Sequence, residues 1–492
     1  MCTRMLNMSE GVWYGGGCIF VFDPHTTDNR EPCASCGCLD GEMKLPVVLL
    51  VACFQLSLGW RPQRSRTITR TRNPRRTPPA PRKKLGKVDE SSKSSMASSV
   101  FNLVNNVAGA GLLALSAGQA AGTGWVPSVL IATALGLLSA HTFILIGEAC
   151  EATGESDFKG LWTKTLGGST TWVVDAIIST LCLAVGVIYA GILGDVFTGL
   201  FGQYNLVPKQ HNHRSTNIIA IISLILYPLS LLKNLSALAF TSILGFASIL
   251  YTVLFITIRS LDGSYALGTG RFVSDSLIPH LPTFGKSSLM NIDFTSLVLA
   301  SNFGLAYVAH YNGPSFYREL RNTNSKRFAT MVSIGFSILI GLYLLTMGAG
   351  YSTFGDVCQG NILLNYHPAD ALATAGRFAT GFSILFGFPL IAAGAREGLQ
   401  NMASTLLGRS LPHVPLVSAM LFLITAIACT VSDVSLAVGL TGAALGSAIC
   451  YICPALIYTR AVKGPHRYNK LLVPFGISIA ALGVYMTLAE AG

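Results

Sequence analysis

Charge is what this sequence has least of. Charged residues make up 12% of its 492 positions, about half the share usual in a soluble domain. So little charge cannot clothe a soluble core, which excludes an ordinary water-soluble globule. Enzyme signatures are missing too: no HExxH, GxSxG or P-loop occurs, and most carboxylates sit in loops. Catalysis is therefore not expected. Without a nucleotide-hydrolysing motif, any solute movement has to draw on a gradient.

The twelve cysteines support no disulfide framework. Cys33, Cys36 and Cys38 lie in "CASCGC" with no fourth ligand nearby, one short of a usual zinc set. Cys450 and Cys453 form a CxxC inside an apolar run, where helix packing is the simpler reading.

What is present in quantity is hydrophobicity: 51% of residues, with a mean hydropathy of +0.53. A bilayer-crossing helix needs roughly 20 apolar residues. About eleven candidates follow one another: 98–120, 125–147, 172–197, 217–232, 236–258, 291–313, 328–350, 371–395, 413–431, 434–458 and 470–490. The pattern predicts an all-α polytopic membrane protein, with a transmembrane domain over 96–492.

Residues 1–95 differ from this domain in kind. The stretch 61–87, "RPQRSRTITRTRNPRRTPPAPRKKLGK", holds eleven Lys/Arg, five prolines, no acid and no aromatic residue. It accounts for the whole net charge of +11. Lacking stacking platforms, it reads as a disordered cytosolic or targeting segment rather than a nucleic-acid site. "MKLPVVLLVACFQLSLGW" from Met43 has the build of a signal sequence. Either Met43 begins a targeting sequence or 45–60 is an incidental apolar patch. The acid-poor stretch after it resembles an organellar transit peptide, so a plastid-type membrane stands beside the plasma membrane and endomembranes. With the N-terminal segment cytosolic, inner loops hold thirteen Lys/Arg, among them Arg318, Lys326 and Arg396, against five outside. That asymmetry places the N-terminus inside.

Two spans are poorly made as helices. "FNLVNNVAGAGLLALSAG" (101–118) carries Asn102, Asn105 and Asn106, then Gly109-Ala110-Gly111. Each glycine weakens a helix by about 1 kcal/mol. The sixth span has Ser301-Asn302, Gly304 and, later, His310, Asn312, Gly313 and Pro314. Interrupted helices survive in hydrocarbon only where they line an enclosed cavity, and transporters with inverted repeats place breaks in corresponding helices. Five spans precede the second break, which suggests a 5+5 repeat with the eleventh span peripheral. Close packing of small residues is the plainer alternative for either helix alone.

These residues resemble the amino acid/auxin permease family, nearest its sodium-coupled neutral amino acid transporter branch. The similar stretches are "SSVFNLVNNVAGAGLLALS", "YPLSLLKNLSALAFTSILG" (227–245), "FGLAYVAHYNGPSFYREL" (303–320) and "FGFPLIAAGAREGL" (386–399). The resemblance implies a leucine-transporter-type fold, with substrate between the first and sixth spans. Gly109, Ala110 and Gly111 would meet the substrate carboxylate, and Asn302, Phe303 and Gly304 its ammonium side. It further implies a sodium ion near Asn105, with Thr380 and Ser383 of the eighth span as hydroxyl ligands; no other cofactor is expected. The partners expected are thus an amino acid, sodium or a proton, and lipid. For a proton-linked route the candidates are His310, Asp195 and Arg377, with His310 foremost. A non-transporting amino-acid sensor of the same fold is the rival reading.

Overall fold

The computed structural model describes residues 93–232, 241–273, 283, 289–464 and 467–491. The expectations for the cysteine cluster, Met43 and the basic run lie outside the described residues.

The described chain is almost wholly helical. In order come α1 (Met96–Val107), α2 (Leu115–Ala120), α3 (Trp125–Thr153), α4 (Phe158–Leu166) and α5 (Thr171–Gln203). Then follow α6 (Arg214–Ser230), α7 (Thr241–Leu261), α8 (Ser296–Ala306) and α9 (Gly313–Glu319). The last are α10 (Ser325–Phe354), α11 (Ala371–Leu407), α12 (His413–Thr430), α13 (Val434–Ala461) and α14 (Leu472–Ala491). Among the described residues eight helices are long and apolar enough to cross a membrane. Helices α1 and α2, bent by 54° at their junction, make a ninth span if taken together. The fourth and sixth expected spans are occupied by shorter helices, α6 and the pair α8 and α9.

Local sequence sets the helix ends. Asp370 caps α11, its carboxylate accepting from the Leu372 and Ala373 N–H groups, which satisfies donors the first turn leaves open. Asn324 does the same for α10, accepting from the Arg327 N–H. Helix α3 stops at Gly154, whose φ of 74° is the left-handed conformation that costs glycine little.

Burial shows which helices are central. In α13, 78% of the apolar window is buried, against 28% in α12 and α14, so α13 is interior and those two are peripheral. Helix α8 is buried along nearly its whole length. It crosses α13 backbone to backbone: a Cβ on Gly304 would stand 2.6 Å from the Gly442 carbonyl oxygen. Two π-helical turns, Gly442–Gly446 and Ala448–Ile452, interrupt α13 here.

Candidate functional site: two helix breaks around a cavity

The first break falls where the glycines predict. Helix α1 ends at Val107, Gly109 is extended (φ −123°, ψ −160°), and the chain resumes as a 3-10 turn over Ala110–Ala114 before α2. The second break lies later than the sequence suggested. Helix α8 runs unbroken through Ser301, Asn302 and Gly304 to Ala306, winding is lost over Tyr307–Ala309, and a 3-10 turn, His310–Asn312, leads into α9.

The two breaks meet. A Cβ on Gly111 would lie 3.2 Å from the Ala306 Cα, so a side chain there would push one break off the other. Broken helices free carbonyls that need donors, and one side chain serves both ends. The Tyr343 hydroxyl of α10 lies 3.1 Å from the Val107 carbonyl oxygen and 2.7 Å from that of Ala306. Having one proton, it donates to one at a time.

From the breaks a cavity of about 490 Å³ extends to Phe316 and Glu319, the side on which α1 begins. Its wall includes Asn102, Asn105, Asn106 and Gly109, Tyr189 of α5, Ser248 and Thr252 of α7, and Thr380 and Ser383 of α11. A small pocket of about 70 Å³ adjoins it, sharing Asn106, Gly109, Tyr189 and Ile391. That pocket is largely apolar, bounded by Leu181, Cys182, Val185, Ile188, Leu305 and Val308, with no charged residue. Tyr189 joins the two: its hydroxyl would be 3.5 Å from a Cβ on Gly109.

The structure brings Asn105, Thr380 and Ser383 onto one wall. A Cβ built on Gly245 of α7 would be 3.2 Å from Ser383 Oγ and 4.0 Å from Asn105 Oδ1, so both side chains face the same glycine. Thr380 Oγ1 is 3.2 Å from Thr252 Oγ1. Neutral oxygens of this type are hard ligands suited to a group-one or group-two cation. No cluster of three or more His, Cys, Asp or Glu suited to a metal occurs among the described residues.

Gly109 and Gly111 border the cavity system, with Ala110 between them in the chain. Asn302, Phe303 and Gly304 do not. Asn302 is fully buried and its Nδ2 donates to the Ala114 carbonyl at 3.1 Å. Phe303 stacks on Tyr307, centroids 5.5 Å apart, and Gly304 meets α13. Because α8 stays helical past Gly304 to Ala306, Leu305, Ala306 and, in the break, Val308 take the positions beside the pocket.

His310 is buried behind the second break, its Nε2 3.0 Å from both Thr142 Oγ1 and the Ser139 carbonyl oxygen of α3. Asp195 and Arg377 lie toward the far face. Asp195 pairs with Arg214 at 2.6 Å, and Arg377 donates to the carbonyls of Leu363 and Tyr366. Sequence reasoning missed Tyr189, Tyr343, Ser248 and Thr252. The only signal for the tyrosines was a lone hydroxyl inside an apolar span, a group that has to find a polar partner.

A second cavity of about 450 Å³ lies at the opposite end, lined by Asp195, Asp356, Asp433, Glu490 and Asn361 among others. Nearby Arg259 forms a bidentate pair with Asp370 at 2.8 and 2.6 Å, and the Tyr265 hydroxyl donates to the same carboxylate at 2.9 Å. Burial alone would raise the Asp370 carboxyl. The hydrogen bonds from Arg259 and Tyr265 outweigh it and hold the group below its ordinary value.

Comparison with known proteins agrees with this architecture. The fold is similar to that of an "Inward facing conformation of Mhp1", with a TM-score of 0.52 at 12% identity over 82% of this chain and 92% of that one. It is a leucine-transporter-type fold. The putative sodium-coupled neutral amino acid transporter 11 of Danio rerio is 24% identical, covering 80% of this chain and 86% of its own. Vacuolar amino acid transporter 5 of Schizosaccharomyces pombe is 26% identical, covering 80% and 92%. Residues 92–489 match the family described as transmembrane amino acid transporter protein. This chain is an integral, multi-pass membrane protein that belongs to that amino acid transporter family.

Proposed function

We propose that the protein is a secondary active transporter carrying neutral amino acids in symport with a cation, by alternating access around the two breaks. The carrying observation is the meeting of Gly109–Gly111 with Ala306 at a cavity whose inner end holds backbone polar groups and no charged side chain. A zwitterion needs donors for its carboxylate and acceptors for its ammonium group. The 3-10 turn beginning at Ala110 offers the first, with the positive end of its peptide dipoles. Tyr189 adds a hydroxyl beside it. The carbonyls freed near Ala306 offer the second. The apolar pocket then receives an uncharged side chain, since a charged one would lose its hydration there without a partner.

Asn105, Thr380 and Ser383, joined by Thr252, are the proposed cation site. Neutral oxygen ligands favour sodium over a proton, because none of them titrates near neutral pH. The cavity's reach toward Glu319 supports reading this as the inward-open member of the cycle, and a 5+5 arrangement of the spans is part of the same proposal. The relatives named above carry amino acid transport in their names, which supports the same substrate class.

Counterflow in proteoliposomes with a panel of labelled amino acids tests the proposal. Neutral aliphatic substrates are expected to exchange in a sodium-dependent manner, and lysine and glutamate are not. Specific binding without counterflow would replace the carrier with a sensor.

A further inference from the structure

A separate cavity of about 400 Å³ lies between the last turns of α11 and the first turn of α12. It shares no residue with the cavities around the breaks, and its volume is that of a small-molecule site, about 300–1,000 Å³. Its polar wall is Arg396, Glu397, Gln400 and Asn401, a spacing that puts all four on one face of α11. His413, Leu411 and Leu416 close it from the α12 side.

Helix lengths fix its depth in the membrane. Helix α11 has 37 residues, roughly 55 Å at the usual rise, whereas the hydrocarbon core is about 30 Å thick. Its last turns therefore reach the headgroup layer on the inner side. Helix α12 has 18 residues, roughly 27 Å, so His413 at its start stands near the inner edge of the core. Along the same helices, Leu390, Leu407 and Val414 are exposed, as side chains that meet acyl chains are.

The wall carries one charge of each sign. Neither Arg396 nor Glu397 has an ion-pair partner among the described residues. Arg396 gives one N–H to the Ser230 carbonyl at 3.3 Å, and His413 Nε2 donates to the Leu231 carbonyl oxygen at 3.1 Å. Those two oxygens belong to the end of α6, where the last turn leaves carbonyls open. The other guanidinium N–H groups, the side-chain amides of Gln400 and Asn401 and the Glu397 carboxylate remain for an occupant. An anionic group fits the first three, and Glu397 requires a donor. A headgroup that is only anionic would be repelled by Glu397, and a quaternary ammonium has no N–H to give it.

We propose that this cavity binds a phospholipid headgroup carrying both a phosphate and a primary ammonium group, of the phosphatidylethanolamine type. The phosphate meets Arg396, Gln400 and Asn401, the ammonium meets Glu397, and the acyl chains run along the exposed leucines. Because Arg396 and His413 also hold the end of α6, the bound lipid braces the inner ends of α6, α11 and α12. The site lies off the proposed substrate route, so the inference stands whatever solute the protein carries.

Lipid-depleted, full-length protein in detergent provides the test. It is titrated with phosphatidylethanolamine, phosphatidylcholine and phosphatidylglycerol of identical acyl chains, reading bound lipid by native mass spectrometry and, in parallel, melting temperature. Phosphatidylethanolamine is expected to bind about fivefold more tightly than the other two, as one paired charge at the membrane surface is worth, and to raise the melting temperature. Arg396→Gln and Glu397→Gln should each erase that preference. Glu397→Gln should do so without lowering the melting temperature of the lipid-free protein, since Glu397 holds no helix end. Equal binding of the three lipids, a preference for phosphatidylglycerol, or a preference that survives Glu397→Gln would overturn the site. Soluble phosphoethanolamine carries the same two groups without acyl chains; displacement of the lipid by an equal concentration of it would overturn the lipid assignment.

Discussion

The inner cavity and the outer end are built from different chemistry, although ion pairs such as Lys159–Asp175 also occur on the inner side, away from the cavity. The inner cavity is walled by amides, hydroxyls and apolar side chains such as Leu113, Ile249 and Phe386, with Glu319 its one charged residue. The outer end is fastened by ion pairs. Arg259 and Asp370 are 6% and 0% exposed, and Arg214 ties Asp195 on α5 while donating to the Ala428 carbonyl at the end of α12. Neutral hydrogen bonds are individually weak, about 0.5–1.5 kcal/mol net, and can be exchanged for contacts with substrate or water. A buried bidentate pair cannot be opened so cheaply. The outer network therefore reads as standing structure around Tyr265 and the start of α11, and the inner wall as the part that changes partners.

The largest effect separating the two ends is expected at the breaks. Gly111→Leu places a side chain against the Ala306 backbone, where even a Cβ would be 3.2 Å away. Counterflow should be abolished while membrane insertion and yield stay normal. Uptake close to that of the unsubstituted protein would mean that the breaks need not touch.

Arg259→Met comes next, and should act on stability rather than on transport constants. Leaving the Asp370 carboxylate buried and unpaired costs about 3–5 kcal/mol, read as a lower melting temperature in detergent. The pH dependence has a definite sign. The folded-state value of Asp370 is depressed, so its contribution is complete above the unfolded carboxylate value of about 4. It is lost as pH falls through the lower folded value. Melting curves between pH 6 and pH 3 should show the unsubstituted protein losing its advantage over Arg259→Met at the acid end. A constant difference across that range would remove Asp370 from the network.

A smaller and more specific effect belongs to Asn105→Ala. If Asn105 is a ligand of the proposed cation site, its loss should raise the half-saturating sodium concentration about tenfold, equivalent to about 1.4 kcal/mol, with little change in melting temperature. Unchanged sodium dependence would take Asn105 out of the cation site.

Legibility in the sequence followed how local each cause was. The bilayer-crossing helices were readable because long apolar runs are local, and the first break because Gly109 and Gly111 weaken a helix wherever it packs. Gly304 misled for a physical reason: a glycine in an apolar helix marks either a break or a close crossing. Here it lets α8 touch α13 at Gly442, while the true break falls on Tyr307–Ala309. The joint placement of Asn105, Thr380 and Ser383 came from resemblance, since nothing in their spacing brings the first and eighth spans together. Ser248 and Thr252 were invisible for the same reason. So was the pairing of Arg259 with Asp370, 111 residues apart in the chain. Asn106, whose role the first span left open, found its partner, Asn312, only once both breaks were folded against each other.

The central claim is that the cavity between the breaks, open toward the start of α1, is the substrate route. Ser248 lines it, so labelling of Ser248→Cys by a membrane-impermeant thiol reagent tests that claim most directly. Labelling is expected from the cytosolic face, above the background of the native cysteines, and should slow when sodium and a transported amino acid are present together. Labelling only from the opposite face, or at a rate that substrate and sodium leave unchanged, would contradict the account.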